Sequence, residues 1–203
     1  MHKKTNKIMK YLIAYTQVAL SYIFLLPHIL CYLLCGSKKR ELIYSDCRKL
    51  NDKMSVRMIG LKAVLYVIIR DPFYRKMFYH RLGLISILFS WYFPGDKTFY
   101  PMCSEIGEGV YLAHPTSTFL NAKSIGKNFT CRQNTTLGNK IESDKDSRPT
   151  IGDNVSVGAN VCIIGNIHIG DNTRIGAGSV IVKDIPANSI VVGNPSRIIN
   201  KTV

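Results

Sequence analysis

The chain has 203 residues, enough for one mid-sized domain or two small ones with a real core, and its 46% of hydrophobic residues excludes a disordered polymer. Its formal net charge of +14 is lopsided: residues 1–100 hold 17 Lys/Arg against 5 Asp/Glu, residues 101–203 hold 10 against 8. A basic excess set beside uncharged apolar runs disfavours nucleic acid and points to a membrane surface.

Residues 11–35 carry no formal charge. As a helix they would extend about 37 Å, enough to cross a hydrocarbon core of about 30 Å. Lys3, Lys4, Lys7 and Lys10 precede the run and Lys38, Lys39 and Arg40 follow it, which favours both ends on the same side. Pro27 lies inside it, so a re-entrant hairpin bent there is expected, with a single span or simple packing as the alternatives. In residues 56–94, Arg70, Arg75, Lys76 and Arg81 alternate with Phe73, Tyr74, Phe78, Tyr79, Trp91 and Tyr92. That interleaving suits the headgroup layer; the plainer reading is a helix pair buried against the second half. His80 is assigned no chemistry. The six cysteines show no C-x-x-C and no zinc spacing, so reduced thiols in a cytosolic compartment are expected, with Cys31, Cys131 and Cys162 in the core.

The second half repeats. Aliphatic residues recur six apart, as in IGEGVY at 106, IGKNFT at 125, IGDNVS at 151, VGANVC at 157, IGDNTR at 169 and IGAGSV at 175. This period fits neither a helix nor a simple alternating strand. Each hexapeptide reads as a short strand plus a turn on one face of a triangular coil, with its aliphatic side chain inward. Gly, Asn and Asp at the corners accept φ > 0. Twelve such slots give about four coils. The step from Leu112 to Phe119 holds His114-Pro115, and the step from Leu137 to Ile151 throws out a polar loop.

IGEGVYLAHP at 106–115, NTTLGN at 134–139, the run from Arg148 to Pro186 and VVGNPSRII at 191–199 together resemble the hexapeptide-repeat acyltransferases, in their serine acetyltransferase-like branch. The resemblance covers residues 98–201. It implies a left-handed parallel β-helix over 98–203 and a homotrimer with acetyl-CoA as co-substrate between subunits; the basic, apolar run of 1–97 ahead of it is expected to be helical and membrane-associated in place of the family's soluble helical domain. His114 matches the family's catalytic histidine, a general base for a hydroxyl attacking a thioester, with backbone N–H groups holding the oxyanion. Gly158, Ala159, Gly176 and Ala177 match small residues along the pantetheine arm. Lys183, Arg197 and Lys201 match basic residues near the nucleotide phosphates. His168 is the only other histidine in the repeats, so no catalytic metal is expected.

The chain also departs from that pattern. No aspartate stands where the family orients its histidine; Asp96 and Glu105 are the nearest acids. Ala113 replaces an aspartate, and Arg148 replaces the histidine that holds the amino acid acceptor. These changes favour a sugar hydroxyl over L-serine: an O-acetyltransferase of surface polysaccharide at the inner face of the membrane, with a sugar or lipid-linked glycan bound by Asn121 and Arg148. The alternatives are a serine O-acetyltransferase of cysteine synthesis and a silent membrane-bound trimeric scaffold.

Overall fold

The computed structural model describes residues 23–201 except 56, 104 and 142. The uncharged run therefore lies partly outside the described residues. Its described part is helical over 23–34 (α1), and the helix passes through Pro27 with no hairpin there. The reason is local packing: His28, one residue on, is wholly buried and ringed by Phe78, Tyr79, Phe89, Tyr92 and Phe93. Among the described residues no helix is long and apolar enough to cross a membrane.

Three further helices follow, α2 (Ser37–Lys53), α3 (Gly60–Arg70) and α4 (Pro72–Leu82), then a 3-10 turn (Gly83–Ser86) and the short α5 (Ile87–Ser90). Much of the basic and aromatic stretch proves to be packing. Tyr74, Met77, Phe78, Tyr79 and Leu82 are buried. Arg75 donates to the carbonyls of Ile68, Ile69 and Pro94 and lies over the Phe93 ring, closing the C-terminal end of α3. Arg81 is buried against Asp46 of α2 at 3.1 Å. These two arginines serve the interior because each meets carbonyls or a carboxylate that water does not reach.

The first strand, β1 (Phe99–Tyr100), begins a β-solenoid. Its parallel strands form three sheets. Sheet A stacks β1, β4 (Thr118–Leu120), β7 (Thr136–Gly138), β10 (Cys162–Ile164) and β13 (Val180–Ile181). Sheet B stacks β2 (Glu105–Ile106), β5 (Ser124–Ile125), β8 (Thr150–Ile151) and β11 (His168–Ile169). Sheet C stacks β3 (Tyr111–Ala113), β6 (Thr130–Arg132), β9 (Ser156–Val157), β12 (Arg174–Ile175) and β14 (Ser189–Val192), and β15 (Arg197–Lys201) closes it antiparallel to β14.

Counted by sheet A there are five coils rather than four. The first is supplied by Phe99, which the period missed because Pro101 and Cys103 break the aliphatic pattern. At the second coil the inward residue is Leu120, and Phe119 points out, because the turn after β3 absorbs two left-handed residues, His114 (φ 54°) and Ser117 (φ 50°). Cys131 is core as expected. Cys162 faces outward beside the inward Ile163, and Cys31 is only half-buried; Cys47 and Cys103 take the buried places.

The corner chemistry divides in an unexpected way. Six asparagines, among them Asn128, Asn154 and Asn172, carry the positive φ. The glycine two residues before such an asparagine is needed for closeness instead: a Cβ on Gly126 of I-G-K-N would lie 2.5 Å from the Gly152 backbone of the next coil.

Burial of His28, with Arg75 nearby, pushes its pKa down from 6.5 to about 4. The unfolded chain therefore binds a proton that the folded one refuses, and stability falls as pH drops from about 6.5 towards about 4. His28→Phe should flatten that part of the pH dependence, measured as the difference in urea midpoints between variant and wild type.

Candidate active site

Strand β3 delivers His114 to the corner between sheets C and A, where the residue is exposed and its carbonyl accepts from Thr116 N at 2.8 Å. The strand is held from behind. Tyr74 Oη of α4 donates to Val110 O at 3.2 Å and accepts from Leu112 N at 3.1 Å, so the histidine's own strand is fixed by the helical region.

Gly158-Ala159 and Gly176-Ala177 fall on the same corner, in the third and fourth coils. Coils repeat at about 4.8 Å, so Ala177 lies about 14 Å along the axis from His114. A 600 Å³ cavity lined by Ala177, Gly193 and Arg197 continues the corner downward. The two glycines are also required by the fold. A Cβ on Gly158 would stand 2.6 Å from Ala177 N, and one on Gly176 would stand 2.8 Å from a Val192 methyl.

The remaining residues do not join His114 within one chain. Asn121 and Arg148 stand on the corner between sheets A and B, across sheet A from the histidine. Asn121 donates from Nδ2 to Asn139 Oδ1 at 3.2 Å, at the root of the extruded loop. Arg148 lies near enough to the buried Cys103 for its charge to lower that thiol's pKa, which burial raises overall. Lys183 is on that corner as well, two coils below Arg148 in sheet order. The backbone of Lys201 ends β15 opposite Ser189, and its side chain lies outside the described residues. An 840 Å³ groove on sheet B, lined by Glu105, Thr150 and His168, faces away from the His114 corner.

Asp96 is engaged by Thr98 N and Oγ1 at 2.7 and 2.6 Å, and Glu105 points outward from sheet B. Asp71 lies near enough to His114 for the two charges to interact. It precedes Pro72 and caps α4 by accepting from Phe73 N at 2.8 Å and Tyr74 N at 3.1 Å. Burial raises its pKa, against which the two helix N–H groups, Arg75 and His114 pull. The signal in the sequence was Asp-Pro at a helix start; only tertiary packing brings it near a residue 43 positions further on.

A rigid solenoid corner with an exposed histidine above a column of small residues defines a hexapeptide-repeat transferase. The model of that family, bacterial transferase hexapeptide (six repeats), matches residues 148–183. The mitochondrial serine acetyltransferase 3 of Arabidopsis thaliana is 44% identical over 97 residues, 47% of this chain and 25% of its own length. The serine acetyltransferase of Staphylococcus epidermidis is 34% identical over 143 residues, 70% of this chain and 66% of the relative. A solved serine acetyltransferase from Brucella abortus in complex with Coenzyme A superposes with a TM-score of 0.65 at 25% identity, covering 85% of this chain and 72% of that one. The chain belongs to the hexapeptide-repeat serine acetyltransferase family. It spans about a quarter to a third of the length of the plant relatives it matches. The polysaccharide branch expected from Ala113 and Arg148 has no counterpart among these three relatives.

Gly158→Ala should lower stability by about 1–3 kcal/mol, the usual cost of forcing a methyl group against a packed backbone. Chemical unfolding would measure it, and His114 on its distant coil should keep its environment.

Proposed function

We propose that the protein is an acetyl-CoA-dependent O-acetyltransferase, with L-serine as the acceptor to which its relatives' names point. The observation that carries this reading is the single corner on which His114, the column of small residues and the Arg197 cavity line up. In this reading His114 takes the proton of the acceptor hydroxyl as its oxygen bonds to the thioester carbonyl carbon. Backbone N–H groups hold the oxyanion, the C–S bond breaks, and the imidazolium returns the proton to the CoA thiolate. The arm lies along Ala159 and Ala177, with Arg197 near the nucleotide phosphates. The reaction belongs to a compartment that holds acetyl-CoA.

A sugar hydroxyl is the second reading, favoured by Ala113, which replaces an aspartate, and by Arg148, which replaces the histidine that helps the family hold its amino acid acceptor. In both readings residues 1–97 and 98–203 act as helical and catalytic domains, the latter a left-handed coil, and the active unit is a homotrimer. Two features support the trimer. The outward column of sheet A is mainly apolar, Tyr100 and Phe119 stacked at 4.6 Å above Cys162 and Val180. Asn121, Arg148 and Lys183 lie at the far edge of that sheet, where a neighbouring copy could present them to His114.

Thiol release from acetyl-CoA, with L-serine, nucleotide sugars and a lipid-linked glycan extract as acceptors, tests the assignment. Turnover with serine is expected, falling about a hundredfold or more in His114→Ala. Turnover with glycan alone would establish the second reading, and failure to bind acetyl-CoA would leave the scaffold.

Asp71→Ser keeps a capping oxygen on α4 while removing the carboxylate near His114. Melting should change little, and acetyl transfer should fall about tenfold or more.

A further inference from the structure

The helical region leaves an apolar surface that neither the solenoid nor the proposed reaction uses. After α4 the chain makes a protruding turn on which Leu84 is 85% exposed, Ile87 65%, Leu88 74% and Trp91 77%. These side chains lie on the 3-10 turn, on α5 and at the residue just past it, while Ser86 and Phe89 face inward. Beside them, α1 buries Leu25, His28 and Tyr32 and leaves Leu26, Leu30 and Leu33 exposed, an i, i+4, i+7 stripe on its other face. The two surfaces meet where Phe24 stacks edge-on to Tyr92 at 4.8 Å, next to Trp91. A helix that is apolar on both faces, with one face covered, needs an apolar partner on the other.

The surrounding charge says which partner. A 780 Å³ cleft opens beside Leu84 and Ile87; its charged lining residues are Lys76 and Lys97, and no carboxylate lines it. Of the five acids in residues 1–100, Asp46 is buried on Arg81, Asp71 caps α4 and Asp96 is bonded to Thr98. Of the 17 cations, Arg75 and Arg81 alone are among the described buried residues. Two copies meeting on such a face would bring like charges together, whereas an anionic lipid surface offers apolar chains beneath and phosphates at the level of the lysines. An indole belongs at that boundary.

We propose that Leu84, Ile87, Leu88 and Trp91, with Leu26 and Leu30 of α1, form a peripheral docking surface for an anionic lipid bilayer. The contact is independent of the acceptor, and it inserts side chains into the headgroup layer without a span.

Trp91 is the chain's one tryptophan, so its fluorescence reads the surface directly. The full chain would be mixed with vesicles of phosphatidylcholine, of phosphatidylcholine with phosphatidylglycerol, and of the same mixture carrying brominated acyl chains. Emission should shift to the blue on anionic vesicles and be quenched by the bromines. Binding by co-sedimentation should be about tenfold weaker on neutral vesicles. Leu84→Ser/Leu88→Ser should cut it about tenfold or more, with acetyl transfer to a soluble acceptor unchanged. Unaltered Trp91 emission on every vesicle would overturn the proposal. So would binding that the double variant keeps and removal of residues 1–22 abolishes. A blue shift that follows protein concentration without lipid would assign the face to a second copy instead.

Discussion

A parallel solenoid must end, and its first coil has no neighbour to receive its backbone groups. Here three side chains of the helical region take that neighbour's place. Asp46 accepts from Val110 N at 2.9 Å; Tyr74 serves Val110 O and Leu112 N; Arg81 donates to the carbonyls of Ile106 and Gly107. Because Asp46 and Arg81 also bind each other, neither charge is buried alone, which would cost about 3–5 kcal/mol. The rest of the structure depends on this closure. It seals the column headed by Phe99, Ile106 and Leu112, and it aligns the strand that ends at His114. At the other end β15 folds back on β14 and covers the last exposed edge of sheet C.

Between the two ends the coils are held in register by side-chain ladders as well as by the backbone. Asn128, Asn154, Asn172 and Asn188 pass a hydrogen bond from Nδ2 to Oδ1 down one corner at 2.9–3.0 Å. Lys49 of α2 reaches the head of that ladder at Asn128. Asn combines tolerance of the left-handed region with an amide that can both donate and accept, and a stack of identical corners uses both properties. Rigid corners matter because an arm lying along several of them meets a fixed surface.

What could be read from the sequence follows the same division. The six-residue period states a local rule repeated many times, so the solenoid, its loop between Leu137 and Ile151 and the break in register at His114 were all legible. Phe99 and Leu120 were missed where the rule is broken, by Pro101 in one case and by two left-handed turn residues in the other. In the helical region no repeat exists. Composition alone could not separate Arg75 and Arg81, which go inside, from Lys76 and Lys97, which border an open cleft, because the difference lies in which carbonyls and carboxylates happen to fold around each one. Asp71 was invisible for a related reason. Its helix-capping role is local, but its approach to His114 is a product of how α4 seats on the first coil.

That seating ties stability to chemistry. Asp71 is the first residue before α4; Tyr74, one turn in, grips the strand of His114; Arg81, near the other end, grips Ile106 and Gly107. A single rigid helix thus fixes the carboxylate relative to the histidine from two points of attachment on the same coil. A shift of α4 along its axis would break the Tyr74 and Arg81 hydrogen bonds together and open the end of the solenoid. The helical region is in this sense part of the site. It also explains why an apolar surface can be carried on the turn after α4 without disturbing the corner where the proposed reaction takes place.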